Sequence, residues 1–314
     1  MKILVFGSNG LVGSSIKNIF SKYYDKDLLF FSTRDDTNLF DFKETKKTIE
    51  EFRPDILINA AARVGGIFDN NTNRTSFFLD NMKININVLE SCITNNKIKI
   101  INLGSSCIYP LNAKNPINEN SIMKGVLEPT NSPYAMAKLS SIELGNALSA
   151  EYGHKVVNLM PTNLYGPQDN FSERHSHVIP GLIMRMHKAK TNNDEHFKLW
   201  GTGKPKREFL YAEDLAYAIK FILDNEINEE LLNVGSGSEI SITNLSEKIR
   251  NVIDFQGELI FDQSMPDGNP RKLLDSSKIL SMGWKPRISL DEGLNLTYLW
   301  FKENLKLIRQ GAPK

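Results

Sequence analysis

The run ILVFGSNGLVGSS, Ile3 to Ser15, decides the fold. Four apolar residues, Ile3 to Phe6, complete a strand that starts at Lys2, and they do not alternate with polar ones, the pattern of a strand covered on both faces. Gly7, Gly10 and Gly13 then fall between that strand and a helix expected over Leu11 to Tyr23. Glycines at such places permit a tight turn, close approach of backbone to a pyrophosphate, and close packing of helix on sheet, while the helix N-terminus favours negative charge. A glycine pattern alone is weak. Set between strand and helix, it points to a dinucleotide-binding fold.

Outward from this turn the alternation continues. Asp27 to Phe31, Ile56 to Asn59, Ile98 to Leu103 and Val156 to Met160 read as strands, with helices over Phe42 to Phe52, a stretch ending near Asn95, and Pro133 to Tyr152. Such an order predicts an α/β fold, a doubly wound parallel sheet of Rossmann type, over residues 1–165. Gly, Pro and His cluster between Gly166 and Gly181, which predicts a loop-rich, ligand-facing segment. A helix near Asp214, a strand over Leu231 to Val234 and a closing helix over Leu290 to Lys302 follow. The chain is expected to return to the large sheet near 208–235, and the rest of 166–314 to form a smaller substrate-binding domain.

The 314 residues are 40% apolar and 24% charged, and 38 basic residues face 37 acidic ones, so no global field is built to hold nucleic acid or an anionic membrane. An anionic ligand must be held by local placement. No apolar run approaches the roughly 18 residues of a spanning helix, and the first is too short for a signal peptide. Two cysteines, Cys92 and Cys107, give neither a disulfide framework nor zinc-site spacing, so a reducing cytoplasm is expected. No metal is expected either, because His175 and His177 have no further ligands close in sequence.

Three places carry chemistry. Arg34 follows the second strand, where a fork of donors suits the extra phosphate of NADP; the alternative is a solvated turn shared with Asp35 and Asp36. Tyr134 and Lys138, four apart on an expected helix, lie on one face, and a cation within reach would favour the phenolate; an ordinary surface pair is the alternative. "NLGSSCIYP", residues 102 to 110, sets Ser105, Ser106 and Cys107 where the fourth strand runs out. Cys107 reads either as reactive or as a small buried hydrophobe.

The spacing G-x-x-G-x-x-G, a hydroxyl after the fourth strand and then Y-x-x-x-K resemble the extended short-chain dehydrogenase/reductase family. "AAARVGGI", "NNT", "LGSSCIYP", "LEPTN.PYA.AK", "MPTNLYGP.DNF", "SHVIP", "REFLYAED" and "PDG.PRKLLD", spread over residues 61 to 275, resemble its GDP-L-fucose synthase branch. The resemblance implies that Ser105 holds a substrate carbonyl, Tyr134 donates a proton, and Lys138 tunes Tyr134 while binding the nicotinamide ribose. It implies that Cys107 and His177 are an acid/base pair for epimerisation. NADP would be held along Gly7, Ser8, Asn9, Gly10, Leu11, Val12 and Gly13, by Arg34, Asn38 and Leu39, and by Leu103, Gly104, Ser105 and Ser106. Lys138, Pro161, Thr162, Asn163, Leu164 and His177 would complete that site.

Arg185, Trp200, Arg207 and Lys272 would hold a GDP-sugar, although Arg185 also reads as a plain surface residue. A homodimer built from two helices per subunit is implied as well. The expected reaction is NADPH-dependent conversion of GDP-4-keto-6-deoxy-D-mannose to GDP-L-fucose by 3,5-epimerisation and 4-keto reduction. Competing readings are a GDP-colitose synthase, a sugar-nucleotide 4-epimerase or dehydratase, and a non-catalytic NADP sensor. Ser106 and Cys107 stand where dehydratases carry an acidic pair. The chain departs from its relatives at Asn9, where a basic residue is common, and this leaves more of the NADP preference to Arg34.

Overall fold

A computed structural model describes residues 1–173, 175–264 and 267–309. The first half contains β1 (Ile3–Phe6), α1 (Leu11–Tyr23), β2 (Leu29–Ser32), α2 (Phe42–Phe52), β3 (Ile56–Asn59), α3 (Ile67–Thr72), α4 (Arg74–Glu90), β4 (Lys99–Leu103) and α5 (Ser132–Tyr152). Next come β5 (Val156–Pro161), β6 (Asn163–Tyr165), α6 (Val178–Asn192), β7 (His196–Trp200), β8 (Lys206–Tyr211), α7 (Ala212–Asp224) and β9 (Leu231–Val234). The remainder is β10 (Glu239–Ser241), α8 (Ile242–Ile253), β11 (Glu258–Asp262), β12 (Arg271–Lys272), α9 (Ser277–Ser281) and α10 (Leu290–Arg309).

Six strands form a parallel sheet in the order β2-β1-β3-β4-β5-β9. Its continuous apolar strands are explained by cover on both faces. Ile3 and Val5 pack with Ile16, Ile19 and Phe20 of α1 and with Leu215 and Ile219 of α7. Leu4 and Phe6 point the other way, to Ile49 of α2, Val88 and Leu89 of α4, and Leu148 of α5. Strand order reverses between β1 and β3, which opens a crevice at the carboxyl ends of the strands, the usual ligand position in such sheets.

The second half is built on β8, which pairs with β6, β10 and β12, and on the pair β7 and β11. Ile183 and Met186 of α6, Leu245 and Ile249 of α8, and Leu294 and Phe301 of α10 close over these strands. Glu208 ties the halves together. Its buried carboxylate accepts from Gly237 N at 2.7 Å and Leu274 N at 3.0 Å, and its carbonyl accepts from Thr162 and Asn163.

Several expected boundaries move. Asp25 caps a short 3-10 turn over Lys26–Leu28, so β2 begins at Leu29 rather than Asp27. The helix expected to end near Asn95 stops at Glu90. Pro180 and Gly181 lie inside the first turn of α6, not in a loop, since a proline there removes an N–H that no intrahelical bond needs. The closing helix runs on to Arg309. Strands as short as the two-residue β12 exist only as neighbours of β8 and have no periodicity to read.

Candidate active site

At the cofactor end, Gly7 adopts φ +78°, and a Cβ there would fall 2.6 Å from Ala61 Cα, while one on Gly13 would fall 2.1 Å from Gly7 O. Gly10 is different: a Cβ would meet only Gly7 O, at 3.6 Å, so it faces open space. Gly10 caps α1 with no side-chain hydrogen bond and no acidic residue in the first turn, which leaves a positive helix end for a pyrophosphate. Ser8 is buried and donates to Ser32 O at 3.0 Å, tying the turn to β2, whereas Asn9 is exposed and Leu11 and Val12 open the helix.

Beyond β2, Thr33 donates to Asp36 from its amide (2.8 Å) and hydroxyl (2.7 Å), and these bonds hold that carboxyl below its usual range. That acid is engaged within its own turn, and Arg34 is exposed on the same turn, where a guanidinium could meet a ribose phosphate. Asn38 shapes the next turn, accepting from Phe40 N, and the carbonyl of half-buried Leu39 accepts from Asn87. Leu103 and Gly104 end β4; a Cβ on Gly104 would strike Met160 Cε at 2.2 Å. Pro161 ends β5, Thr162 and Asn163 anchor to Glu208 O, and Leu164 packs against the core beneath. Set at the ends of β1, β2, β4 and β5, these residues could together hold NADP.

At the chemical end, Ser105 caps a 3-10 turn over Ser106–Ile108, its Oγ accepting from Cys107 N at 3.2 Å, while Ser106 is buried behind it. Tyr134 hydrogen-bonds Ser105. Burial raises its phenol well above the ordinary value, negative charge on Cys107 adds to that, and the Ser105 bond opposes both. Lys138 is directed to the end of β4. Its Nζ donates to Leu103 O at 2.7 Å, and burial pushes the ammonium down to about 8. One helical face carries both residues, but the lysine extends back to the strand end, and the tyrosine keeps its proton.

Cys107 is half-buried, and its Sγ accepts from Asn131 Nδ2 at 3.4 Å and from Lys272 Nζ at 3.6 Å. His177 is the N-cap residue of α6 and is exposed, and loss of solvent around its ring holds the imidazole below its usual value. Gly65 and Gly66 connect the two sides. A Cβ on Gly66 would lie 2.3 Å from Ser176 O, and one on Gly65 would lie 3.0 Å from Phe77, whose ring meets Tyr134 edge-on. His175 lies 3.4 Å from Asp69, and among the described residues no cluster of three His, Cys, Asp or Glu side chains stands ready for a metal.

Residues 3–235 match the model of the NAD dependent epimerase/dehydratase family. The chain belongs to that family. Among its relatives, the probable GDP-L-fucose synthase 1 of Oryza sativa subsp. japonica is 45% identical over 97% of this chain and 93% of its own length. The GDP-L-fucose synthase of Escherichia coli (strain K12) is 41% identical over 96% of this chain and 97% of its own. A crystal structure of a GDP-L-fucose synthetase from Naegleria fowleri bound to NADP superposes with a TM-score of 0.86 at 30% identity, covering 97% of this chain and 94% of that one.

In this epimerase-family chain the four residues expected at a GDP-sugar make two sets of contacts. Arg185 lies over Phe197 (5.4 Å) and over the exposed ring of Trp200 (5.5 Å). Arg207 and Lys272 are opposite one another on β8 and β12, and Lys272 reaches the cysteine rather than Trp200. Asn131, Asp169 and Glu208 escaped the sequence reading. Asn131 lay in the quoted LEPTN stretch, but an amide before a helix reads as a cap, and only the fold brings it to Cys107.

Proposed function

We propose that this chain is a bifunctional epimerase-reductase that converts GDP-4-keto-6-deoxy-D-mannose to GDP-L-fucose with NADPH. The observation that carries the proposal is Cys107 beside Tyr134 and Ser105: plain reduction needs the serine and tyrosine, whereas a cysteine engaged by an amide and an ammonium adds a second proton-transfer group. Cys107 and His177 exchange protons at the two carbons flanking the ketone. When a flanking C–H bond breaks, its electron pair moves to the ketone oxygen, where Ser105 and Tyr134 donate, and a proton returns on the opposite face. NADPH, when bound, supplies hydride to carbon 4. Tyr134, kept protonated by burial, then gives its proton to the oxygen, and Lys138 anchors the ribose beside Leu103.

Incubation with the keto-sugar and NADPH in heavy water tests this. Deuterium at carbons 3 and 5 with NADPH oxidation is expected. Label at carbon 5 alone overturns it in favour of a single-epimerisation enzyme of the GDP-colitose type, and no oxidation by folded protein overturns the reductase.

We further infer a homodimer through the outer faces of α4 and α5, where Leu79, Ile86 and Met136 are exposed and a shallow recess is lined by Phe78, Leu79, Pro133 and Met136. A cytoplasmic setting is supported by two free cysteines and by the lack, among the described residues, of any helix long and apolar enough to cross a membrane. Recovery in a membrane or secreted fraction overturns that setting.

A further inference from the structure

Lys272 was expected at the GDP-sugar, and its ammonium stands 3.6 Å from Cys107 Sγ. An ammonium donating to sulfur favours the thiolate, the reactive form of cysteine. The contact is built by the fold. β12 holds Lys272 in register with Arg207 of β8, and the two following amides are fixed, Leu273 N on Asn115 Oδ1 at 2.8 Å and Leu274 N on the buried Glu208 carboxylate at 3.0 Å. Lys272 is therefore aimed by strand pairing and not by a flexible loop.

The groups facing the sulfur are accounted for by element. Lys272 comes from β12 and Arg207 from β8, whose guanidinium the cysteine's charge stabilises against burial. Tyr134 comes from α5 and Asn131 from the residue capping it, while Ser105, on the turn that carries Cys107, accepts from the Cys107 amide and not from the sulfur. Two cations and two neutral polar groups stand around one sulfur, an arrangement that suits an anion there.

We propose that Lys272 is a positioning residue of the epimerisation, holding Cys107 as the thiolate that takes the first proton. In this step the C–H bond beside the ketone breaks, its proton forms S–H on Cys107, and its electron pair passes to the ketone oxygen. Negative charge thereby leaves the neighbourhood of Lys272 for that of Ser105 and Tyr134. The step rests on the function proposed above, but the thiolate itself does not.

Alkylation by iodoacetamide without substrate tests the pairing. Cys92 is fully buried, with its thiol pushed up to about 12, so modification reports on Cys107. Lys272→Met is expected to slow alkylation at pH 7 about tenfold and to shift its pH profile upward, with Lys272→Arg restoring most of the rate. Deuterium wash-in at the flanking carbons should fall in parallel, with little change in the KM for the keto-sugar. An unchanged alkylation profile with a raised KM overturns the inference and leaves Lys272 as a diphosphate contact. A slowed alkylation in Lys272→Met, together with a wild type that neither exchanges deuterium nor oxidises NADPH, upholds the thiolate pairing and overturns the function reading instead.

Discussion

Tyr134 and Lys138 were readable as a pair from their spacing, but their protonation was not, because it depends on what buries them. The lysine spends its ammonium on Leu103 O, and the phenol is left a proton donor. Asp169 shows the same dependence more sharply. Its Oδ1 accepts from Asn170 N at 2.7 Å, its Oδ2 is buried with no partner among the described residues, and burial raises the carboxyl to about 7. The folded state therefore holds a proton that the unfolded chain releases near 4, so stability from this group declines as pH rises from about 4 to 7. Asp169→Asn should stabilise the protein at pH 8 by roughly 2–4 kcal/mol and flatten that slope, which urea unfolding at pH 5 and 8 measures. Arg34 is simpler, since charge and position after β2 were visible without the fold. Arg34→Ala should lose the preference for NADPH over NADH in kcat/KM, and an unchanged preference would remove Arg34 from cofactor choice.

Among elements, β1 and α1 were the most legible, because an apolar run and three glycines state a physical need within thirteen residues. Gly13 carries that need furthest. A Cβ there would sit 2.1 Å from Gly7 O and 2.6 Å from Ser8 Cα, both backbone atoms that cannot swing away. Gly13→Ala should push α1 off the sheet at a cost of about 1–3 kcal/mol and weaken NADPH binding; a lowered urea midpoint and fluorescence titration check it. The start of α6 was misread for the opposite reason. Pro180 and Gly181 are usual loop formers, but here the glycine gives room to Ser176 Oγ, where a Cβ would sit at 2.6 Å, beside the His177 cap. β12 was illegible in principle: two residues have no period, and their direction comes from Glu208 and Arg207.

For the whole molecule, the α4 and α5 pair presents Leu79 at 46%, Met136 at 46% and Ile86 at 39% exposure, while its inner side is closed against the sheet. A second copy packing the same helices would cover that face symmetrically, as the proposed homodimer requires. Light scattering at micromolar concentration should give twice the chain mass, and Leu79→Asp with Met136→Lys should return a monomer. A wild-type monomer sinks the dimer.

Sequence alone determined the doubly wound sheet, the glycine turn and the order of Ser105, Cys107, Tyr134 and Lys138, because burial on two faces and close backbone approach restrict residue type locally. Only the tertiary structure decided which cation meets which anion. Lys272 is 165 positions from Cys107, and the two meet because β12 pairs with β8 and β4 ends in the same crevice. Contacts of that range leave no trace in local spacing, since each partner alone is an ordinary residue in an ordinary context.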